Sequence, residues 1–241
     1  MSKSALLKSS LAKKYWMGAT GLFLCLFLAG HLAGNLQLFI PGAEGEYKFN
    51  LYAQFMTTNP AVKILSWVTY LSILFHAVDG LLLTIANRKA RPVGYAVFKA
   101  SVNSTWASRN MGLLGTVLLA FIITHMANFW AVMHYDTGIP MQTVDPEGAL
   151  LEVPLKNLHL VVMNFFNPAM NSLALVMVIV YVVSMIAVAF HLSHGFQSAF
   201  QTFGLRTGKY GSMVELIGKV FSILVPILFA AIPVYLFISQ A

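Results

Sequence analysis

The stretch that decides the fold is residues 171–192, which read NSLALVMVIVYVVSMIAVAFHL and include no lysine, arginine, aspartate or glutamate. A helix needs about 20 mainly apolar residues to cross the ~30 Å hydrocarbon core of a bilayer. Four other mainly apolar segments have a similar length, at residues 15–40, 61–86, 109–133 and 213–239. The sequence therefore predicts an all-α integral membrane bundle of five transmembrane helices, forming a single membrane domain.

The composition of the whole chain agrees with this prediction. Charged residues make up 10% and apolar residues 58% of the 241 residues, whereas a soluble globular domain carries about 25% charged residues. This excludes soluble enzymes, nucleic-acid-binding domains and disordered tails as the main interpretation. The single cysteine, Cys25, permits no internal disulfide and no CxxC or CxxCH motif.

The basic residues predict the orientation of the chain in the membrane. One side of the spans carries Lys3, Lys8, Lys13, Lys14, Arg88, Lys89, Arg91, Lys99, Arg109, Arg206, Lys209 and Lys219. The other side carries only Lys48, Lys63 and Lys156. Because lysine and arginine concentrate in cytoplasmic loops, we expect a cytoplasmic N-terminus and an outer C-terminus.

Three local features are also expected. Residues 2–14, in which leucines and lysines are interleaved, predict a segment that lies along the inner interface. The apolar run that follows is longer than the apolar region of a secretory signal, so we expect it to be an uncleaved first span. The long outer connection at residues 135–167 predicts an interfacial helix at residues 155–166. Pro226 and Pro233 lie inside the fifth span and predict a kink there.

Four of the seven histidines fall inside four different spans, and ionisable residues inside a membrane are candidates for function by default. They are His31, His76, His125 and His191. For any one of them, the alternative is an imidazole that only hydrogen-bonds a neighbouring helix. Four such residues on four helices favour a shared function.

The depths of these histidines divide them into two pairs. His31 and His125 each lie ten residues inside the outer end of a span, which is ~15 Å at 1.5 Å per residue. His76 lies sixteen residues past Pro60, or ~24 Å deep, and His191 lies at the cytoplasmic end of its span. We therefore expect an outer pair, His31 with His125, and an inner pair, His76 with His191.

Two imidazole pairs at two depths suit two haems, each with two axial histidines. Iron ligated in this way keeps no open position, which favours electron transfer over oxygen chemistry. Zinc is the rival ligand, although it would draw four ligands to one depth. Small residues near the histidines would leave room for a haem, and they equally allow close helix packing. These are Gly30, Ala33, Gly34, Ala77, Gly80, Gly112, Gly115 and Gly195.

Other ionisable residues leave alternatives open. His194 could replace His191 as a ligand, but His191 to Gly195 repeats the spacing of His76 to Gly80. Asp79 either holds an imidazole or exchanges protons, or forms an ion pair near the inner interface. For His134 and His159, a solvated surface position is the preferred interpretation.

These residues together resemble the cytochrome b membrane-anchor subunit of succinate dehydrogenases and fumarate reductases, in its single-subunit, two-haem, five-helix form. The resemblance covers nearly the whole chain. It is carried by ATGLFL at residues 19–24, Gly30-His31, Phe75-His76, Asp79-Gly80, Thr124-His125, Phe190-His191 and Gly195.

The resemblance implies a function and its cofactors. His31 and His125 would ligate an outer haem b, and His76 and His191 an inner haem b. Electrons would pass between a cytoplasmic iron–sulfur cluster, the two haems and a membrane quinone, usually menaquinone, near the outer haem. The chain would be the membrane subunit of a quinone-reactive enzyme of the respiratory chain and tricarboxylic acid cycle, in a bacterial cytoplasmic membrane.

The resemblance also implies partner subunits: a flavoprotein with covalent FAD, which would hold the succinate-oxidising site, and an iron–sulfur subunit, both on the cytoplasmic face. Two positions depart from the family's pattern. Ala189 stands where some fumarate-reducing members have a glutamate, and Met17 and Gly18 stand where polar residues hold a haem propionate.

Four further residues are candidates for the site. Glu46 is chosen for proton exchange with the quinone over Glu44, because it lies farther from Pro41 and the chain can fold back over the bundle mouth. The alternative for both is a solvated loop acid. The outer mouth is expected to include Asn35 and Trp67. Arg109 opens the third span, where a cation could reach a propionate of the inner haem.

Two rival functions remain at this point. One is a metal-ion or proton transporter that uses the intramembrane histidines as its pathway. The other is a cytochrome b anchor of a hydrogenase or formate dehydrogenase.

Overall fold

The structure, a computed structural model, describes residues 9–90, 102 and 104–241. Within these residues five helices are long and apolar enough to cross a membrane, and they cover Leu11–Phe39, Pro60–Lys89, Met111–Tyr135, Ala174–Thr202 and Gly208–Ile238. This confirms the predicted all-α, multi-pass membrane fold. The orientation stays a prediction, and four of its basic residues, Lys3, Lys8, Arg91 and Lys99, lie outside the described residues.

The helices and strands follow one another in a simple order. The first half contains α1 (Ser10–Asn35), a 3₁₀ helix (Leu36–Phe39), α2 (Gly42–Thr58), α3 (Pro60–Lys89), α4 (Trp106–Arg109), α5 (Met111–His125), a π-helix (Met126–Ala131) and α6 (Val132–Tyr135). The second half contains β1 (Met141–Val144), β2 (Leu150–Lys156), α7 (Leu158–Phe166), α8 (Ala174–Thr202), a 3₁₀ helix (Gly208–Tyr210) and α9 (Gly211–Ile238).

Large apolar side chains cover the outward faces of the long helices. Leu26 is 74% exposed, and Ile64 and Ile238 are each 68% exposed. In water such surface would cost about 25 cal/mol per Å², whereas contact with lipid tails removes that cost. The exposed faces therefore agree with helices that lie in a bilayer.

The chain divides into two compact units, and each long helix contributes residues to both. The first unit contains the described residues of Met1–Phe27, Val68–Leu119 and Ile186–Leu224, and the second contains Leu28–Trp67, Ala120–Met185 and Val225–Ala241. His76 and His191 belong to the first unit. His31 and His125 belong to the second.

The two units are packed by different residues. The second unit has a core of large side chains, formed by Leu38, Phe166, Val178, Tyr181, Ile232 and Leu236. In the first unit the buried cluster is smaller, with Ala107, Leu114 and Ala187. There a Cβ added at Gly218 would lie 2.7 Å from the Phe196 ring. Small residues therefore let helices approach closely in the first unit.

The connection between α6 and α8 differs from its prediction. Strands β1 and β2 form an antiparallel hairpin, with Met141 opposite Lys156 and Val144 opposite Leu150. The helix expected at residues 155–166 begins only at Leu158, and Leu155 lies in β2 and is 2% exposed. Pairing with β1 holds Leu155 in the strand.

Several boundaries also differ. The fourth span reaches Thr202, ten residues beyond its predicted end, because Phe196 packs on Phe200 and Phe221 and so stabilises further turns. His191 therefore lies inside a helix and not at its end. Residues 10–14 belong to α1 and form no separate interfacial segment, while residues 2–8 lie outside the described residues. Helix α9 continues through Pro226 and Pro233, and the kink stays a prediction.

Candidate functional site

In the second unit, His31 and His125 lie beside each other. His31 comes from α1 and His125 is the last residue of α5. Their ring centroids are 5.9 Å apart and their planes cross at 83°. The structure therefore brings together the two histidines that the depth argument paired as the outer set.

Aromatic side chains surround this pair, and we call them the aromatic cage: Phe121, Phe129, Tyr181 and Phe229. Phe229 lies 5.6 Å from His31, and the other three lie 5.4 to 5.9 Å from His125, measured between ring centroids. The hydroxyl of Tyr181 is 3.3 Å from Nδ1 of His125. The cage gives the pair mainly apolar surroundings. The Tyr181 hydroxyl is a polar neighbour of His125, and the Asn35 amide, 3.5 Å from Nδ1, is a polar neighbour of His31.

A π-helix, Met126–Ala131, follows His125 directly. Such wider turns are rare and frequently occur at functional sites. Phe129 comes from this turn, as does Asn128, whose side chain hydrogen-bonds the Tyr181 hydroxyl. The π-helix thus supplies part of the surroundings of His125.

In the first unit, His76 of α3 lies beside His191 of α8. Their ring centroids are 6.0 Å apart and their planes cross at 64°. This contact favours His191 over His194 as the partner of His76. Asp79 lies one turn after His76, half-buried and close enough to act on that imidazole through its charge.

The two rings of this pair have different polar neighbours. Nδ1 of His76 is 3.2 Å from the Thr20 hydroxyl oxygen. Nδ1 of His191 is buried and has no hydrogen-bond partner among the described residues. Buried polar atoms are almost always paired, so an unpaired one calls for an explanation such as a bound group.

The two pairs fit the axial ligands of haem. Two imidazoles bound to opposite sides of one metal, with bonds of about 2 Å, have ring centroids roughly 6 Å apart. Both pairs have this spacing, on helices that approach from different parts of the chain. Within the described residues, no three His, Cys, Asp or Glu side chains form a group that could hold a metal ion.

The glycines predicted to leave room divide into two kinds. A Cβ added at Gly30, Gly115 or Gly195 would meet no described atom within 4 Å; Gly30 is exposed, whereas Gly115 and Gly195 are half-buried. At Gly34 it would lie 2.5 Å from the Tyr52 ring, and at Gly112 it would lie 3.1 Å from the Thr84 side chain. Gly115 and Gly195 agree with space for a large planar group, whereas Gly34 and Gly112 serve helix packing.

Glu46 lies on a helix and not in a loop, because residues 42–58 form α2. Its carboxylate accepts a 2.6 Å hydrogen bond from Asn157. Asn157 belongs to a buried network in which the Asn50 amide donates to Gln142 (2.9 Å) and to Asn157 (3.1 Å). We call these four residues the amide network. Glu46 is thus a half-buried member of this network.

The other predicted site residues are more dispersed. Asn35 donates a 2.8 Å hydrogen bond to the carbonyl of His31 and so belongs to that turn of α1. Trp67 is 68% exposed on α3. Arg109 is exposed at the end of α4 and donates to the carbonyl of Ser104. The contacts described for these three residues place only Asn35 next to a paired histidine.

The two remaining histidines differ from each other. His134 is exposed and stacks on Trp130 at 4.3 Å between ring centroids. His159 lies in α7, near the amide network, with its ring 5.9 Å from that of Phe49. Partial burial lowers the pKa of His159, and the negative charge of Glu46 opposes that shift.

Sequence reasoning missed Thr20 and Tyr181, the residues whose hydroxyls lie beside the paired imidazoles. Both are polar groups inside apolar spans, and both are nearly buried, with 5% and 8% exposure. Their position within a span was an available signal, because hydroxyls in membrane helices commonly bond across helices.

Comparisons of this chain with the known protein families, with curated proteins and with solved structures found no match.

Proposed function

We propose that this chain is the di-haem cytochrome b subunit of a succinate:quinone oxidoreductase. The observation that carries the proposal is the pairing of four intramembrane histidines, His31 with His125 and His76 with His191, at nearly equal ring separations. The resemblance of the sequence to the membrane anchors of succinate dehydrogenases and fumarate reductases supplies the rest of the proposal.

Haem bound at each pair would supply reversible one-electron chemistry at iron. The chain itself holds two imidazoles on two different helices at each site, so their separation is fixed before any group binds. The aromatic cage keeps water away from His31 and His125. Ligation by two histidines would leave the iron no open position at either site, so both sites would carry electrons and exclude reactions with small molecules.

The proposal includes partners that this chain would anchor. A flavoprotein with covalent FAD and an iron–sulfur subunit would dock on the cytoplasmic face, and the flavoprotein would contain the succinate-oxidising site. A membrane quinone, menaquinone in this form of the family, would react beside the His31–His125 pair. The complex would lie in a bacterial cytoplasmic membrane.

The proton exchange that quinone chemistry requires is assigned to Glu46. Its carboxylate is half-buried and is held by Asn157 at 2.6 Å. A carboxylate that is positioned in this way can pass protons to a quinone oxygen, directly or through one water. Glu44 is less suited because it is exposed and its carboxylate pairs with Lys48 at 2.6 Å.

The test is purification of the complex from its native membrane through a tag on this chain. We expect two haem b per chain by the pyridine haemochrome assay, together with a co-purified subunit that carries covalent flavin. His194→Ala and His134→Ala are the matched controls and should keep both haems.

Other outcomes would contradict the proposal in distinct ways. A haem-free protein that moves metal ions or protons across vesicles would be the transporter. A haem protein that co-purifies with nickel or molybdenum and without flavin would be the anchor of a hydrogenase or formate dehydrogenase.

A further inference from the structure

The side chain of Thr20 is placed to set the state of His76. Thr20 lies on α1 and is 5% exposed. Its hydroxyl oxygen is 2.9 Å from the carbonyl oxygen of Trp16 and 3.2 Å from that of Met17. The same oxygen is 3.2 Å from Nδ1 of His76 on α3.

The direction of these hydrogen bonds follows from the number of hydrogens. A hydroxyl carries one hydrogen, and a carbonyl oxygen can only accept. The carbonyl oxygens of Trp16 and Met17 lie on the same helix as Thr20, within reach of that hydrogen, and we assign the donation to them. In this assignment the Thr20 oxygen accepts from His76, and Nδ1 carries the proton.

A second acceptor beside the same ring agrees with this assignment. The backbone carbonyl of Met17 also lies near the His76 imidazole and is a second acceptor within its reach. With acceptors on this side, the neutral ring has its hydrogen on Nδ1 and its lone pair on Nε2. Nε2 is then available to bind a metal.

Gly21 allows the ring to reach this position. A Cβ added at Gly21 would lie 3.2 Å from Cε1 and 3.7 Å from Nδ1 of His76. Any larger side chain would therefore push the imidazole away from α1. Thr20 and Gly21 together form what we call the seat of His76: Thr20 supplies the hydrogen-bond acceptor, and Gly21 leaves space for the ring.

His191 has no such seat. Its Nδ1 is buried, and the part of the chain that the structure describes offers it no hydrogen-bond partner. The two rings of one pair thus differ: one is hydrogen-bonded on the side away from its ligating nitrogen, and the other is not. Hydrogen bonding of the second nitrogen fixes the tautomer and raises the basicity of a ligating histidine.

We propose that Thr20 is a positioning residue that holds His76 as its Nδ1–H tautomer and makes it the stronger electron donor of the pair. The inference rests on the proposed function, since it assigns a role towards haem iron. A more basic ligand stabilises ferric over ferrous iron, so the Thr20 contact lowers the midpoint potential of the haem at this pair.

The test compares Thr20→Val with Thr20→Ser in the purified complex. Valine keeps the shape and removes the acceptor, whereas serine keeps the acceptor. We expect Thr20→Val to retain both haems, to raise the midpoint potential of the haem that His76 variants lose, and to alter its low-spin EPR signal. Thr20→Ser should have a midpoint potential and an EPR signal close to those of the wild type.

Thr57→Val is the matched control. The Thr57 hydroxyl makes the same two contacts along its helix, 3.0 Å to the carbonyls of Ala53 and Gln54. Its substitution should change neither haem. An unchanged potential and EPR signal in Thr20→Val, or an equal change in Thr20→Ser, would overturn the role of the hydroxyl.

A measurement without haem keeps this inference separate from the proposed function. Nitrogen-15 NMR of the histidine-labelled full chain reports the tautomer of each imidazole. We expect Nδ1–H for His76 in the wild type and its loss in Thr20→Val. A haem-free protein in which His76 has this tautomer would contradict the proposed function alone. An Nε2–H tautomer of His76 in the wild type would contradict the role of Thr20 as the positioning residue.

Discussion

The two histidine pairs have nearly the same ring separation, 5.9 and 6.0 Å, but very different surroundings. His31 and His125 lie in an aromatic cage within the unit that has the larger buried core. His76 lies against a hydroxyl and a glycine, and Nδ1 of His191 has no hydrogen-bond partner within the described residues. Helix packing therefore fixes the spacing of the rings, while the neighbouring side chains can be varied to give each pair its own properties.

The largest expected effect is the loss of one haem when a paired histidine is removed. His31→Ala and His125→Ala should lose the same haem, and His76→Ala and His191→Ala should lose the other, because a single imidazole leaves the iron half-ligated. Redox titration of each membrane preparation checks this. Loss of different haems from His31→Ala and His125→Ala would break the pairing, and His191→Ala with both haems would indicate His194.

The second largest effect is expected from Glu46, and it would assign quinone reduction to the His31–His125 pair. Glu46→Gln keeps the oxygen that accepts from Asn157 but removes the titratable group, so quinone reduction by succinate should fall by about 10²-fold. Succinate oxidation with a soluble dye and the reduction of both haems should stay normal. Glu44→Gln is the control with an exposed carboxylate. Equal activity with dye and quinone would remove Glu46 from the mechanism, and an inhibitor that perturbs only the His76–His191 haem would move the quinone to that pair.

A smaller effect should follow from the aromatic cage. Tyr181→Phe removes the hydroxyl that lies 3.3 Å from Nδ1 of His125 but keeps the ring and its packing. A hydrogen bond of this kind contributes about 1 kcal/mol. We expect a modest shift in the midpoint potential of the His31–His125 haem alone. A shift of both potentials would show that the cage acts on more than its own pair.

The smallest expected effect is a pH dependence of the stability of the second unit, caused by His159. Burial lowers the pKa of His159 below the unfolded value of about 6.5. As the pH falls, His159 therefore binds a proton in the unfolded chain before it does so in the folded protein. The free energy of unfolding decreases below pH ~6.5 and does not depend on this residue above that pH. Amide exchange of α7 should be faster at pH 5.5 than at pH 7.5 in the wild type and less pH-dependent in His159→Gln. His134→Gln, at an exposed position, should behave as the wild type does; equal pH dependence in all three would contradict this role.

Hydropathy predicted the five spans because crossing a bilayer imposes a length and a composition on any helix. The pairing of the histidines could be predicted as well, since depth in a straight helix follows from residue count. The extension of α8 to Thr202 could not, because those turns are polar enough to fall outside a hydropathy criterion and are stabilised by Phe196 and its aromatic contacts.

The segments between spans were predicted less well. The hairpin had a local signal in Asp145 to Gly148, where Gly148 has a φ of +86° and its amide bonds to Asp145, but the segment was interpreted as a loop with one helix. The π-helix and the contact of Thr20 with His76 depend on which helix faces meet. A single sequence does not specify those faces, so these details required the structure.

The amide network has a consequence for the order in which the chain folds. Asn50 is 1% exposed, and its partners Gln142 and Asn157 lie 92 and 107 residues later in the chain. Two further spans must be synthesised and inserted before those partners emerge. Closure of the network can therefore occur only after the third span has entered the bilayer, which makes it a late step in the biogenesis of this protein.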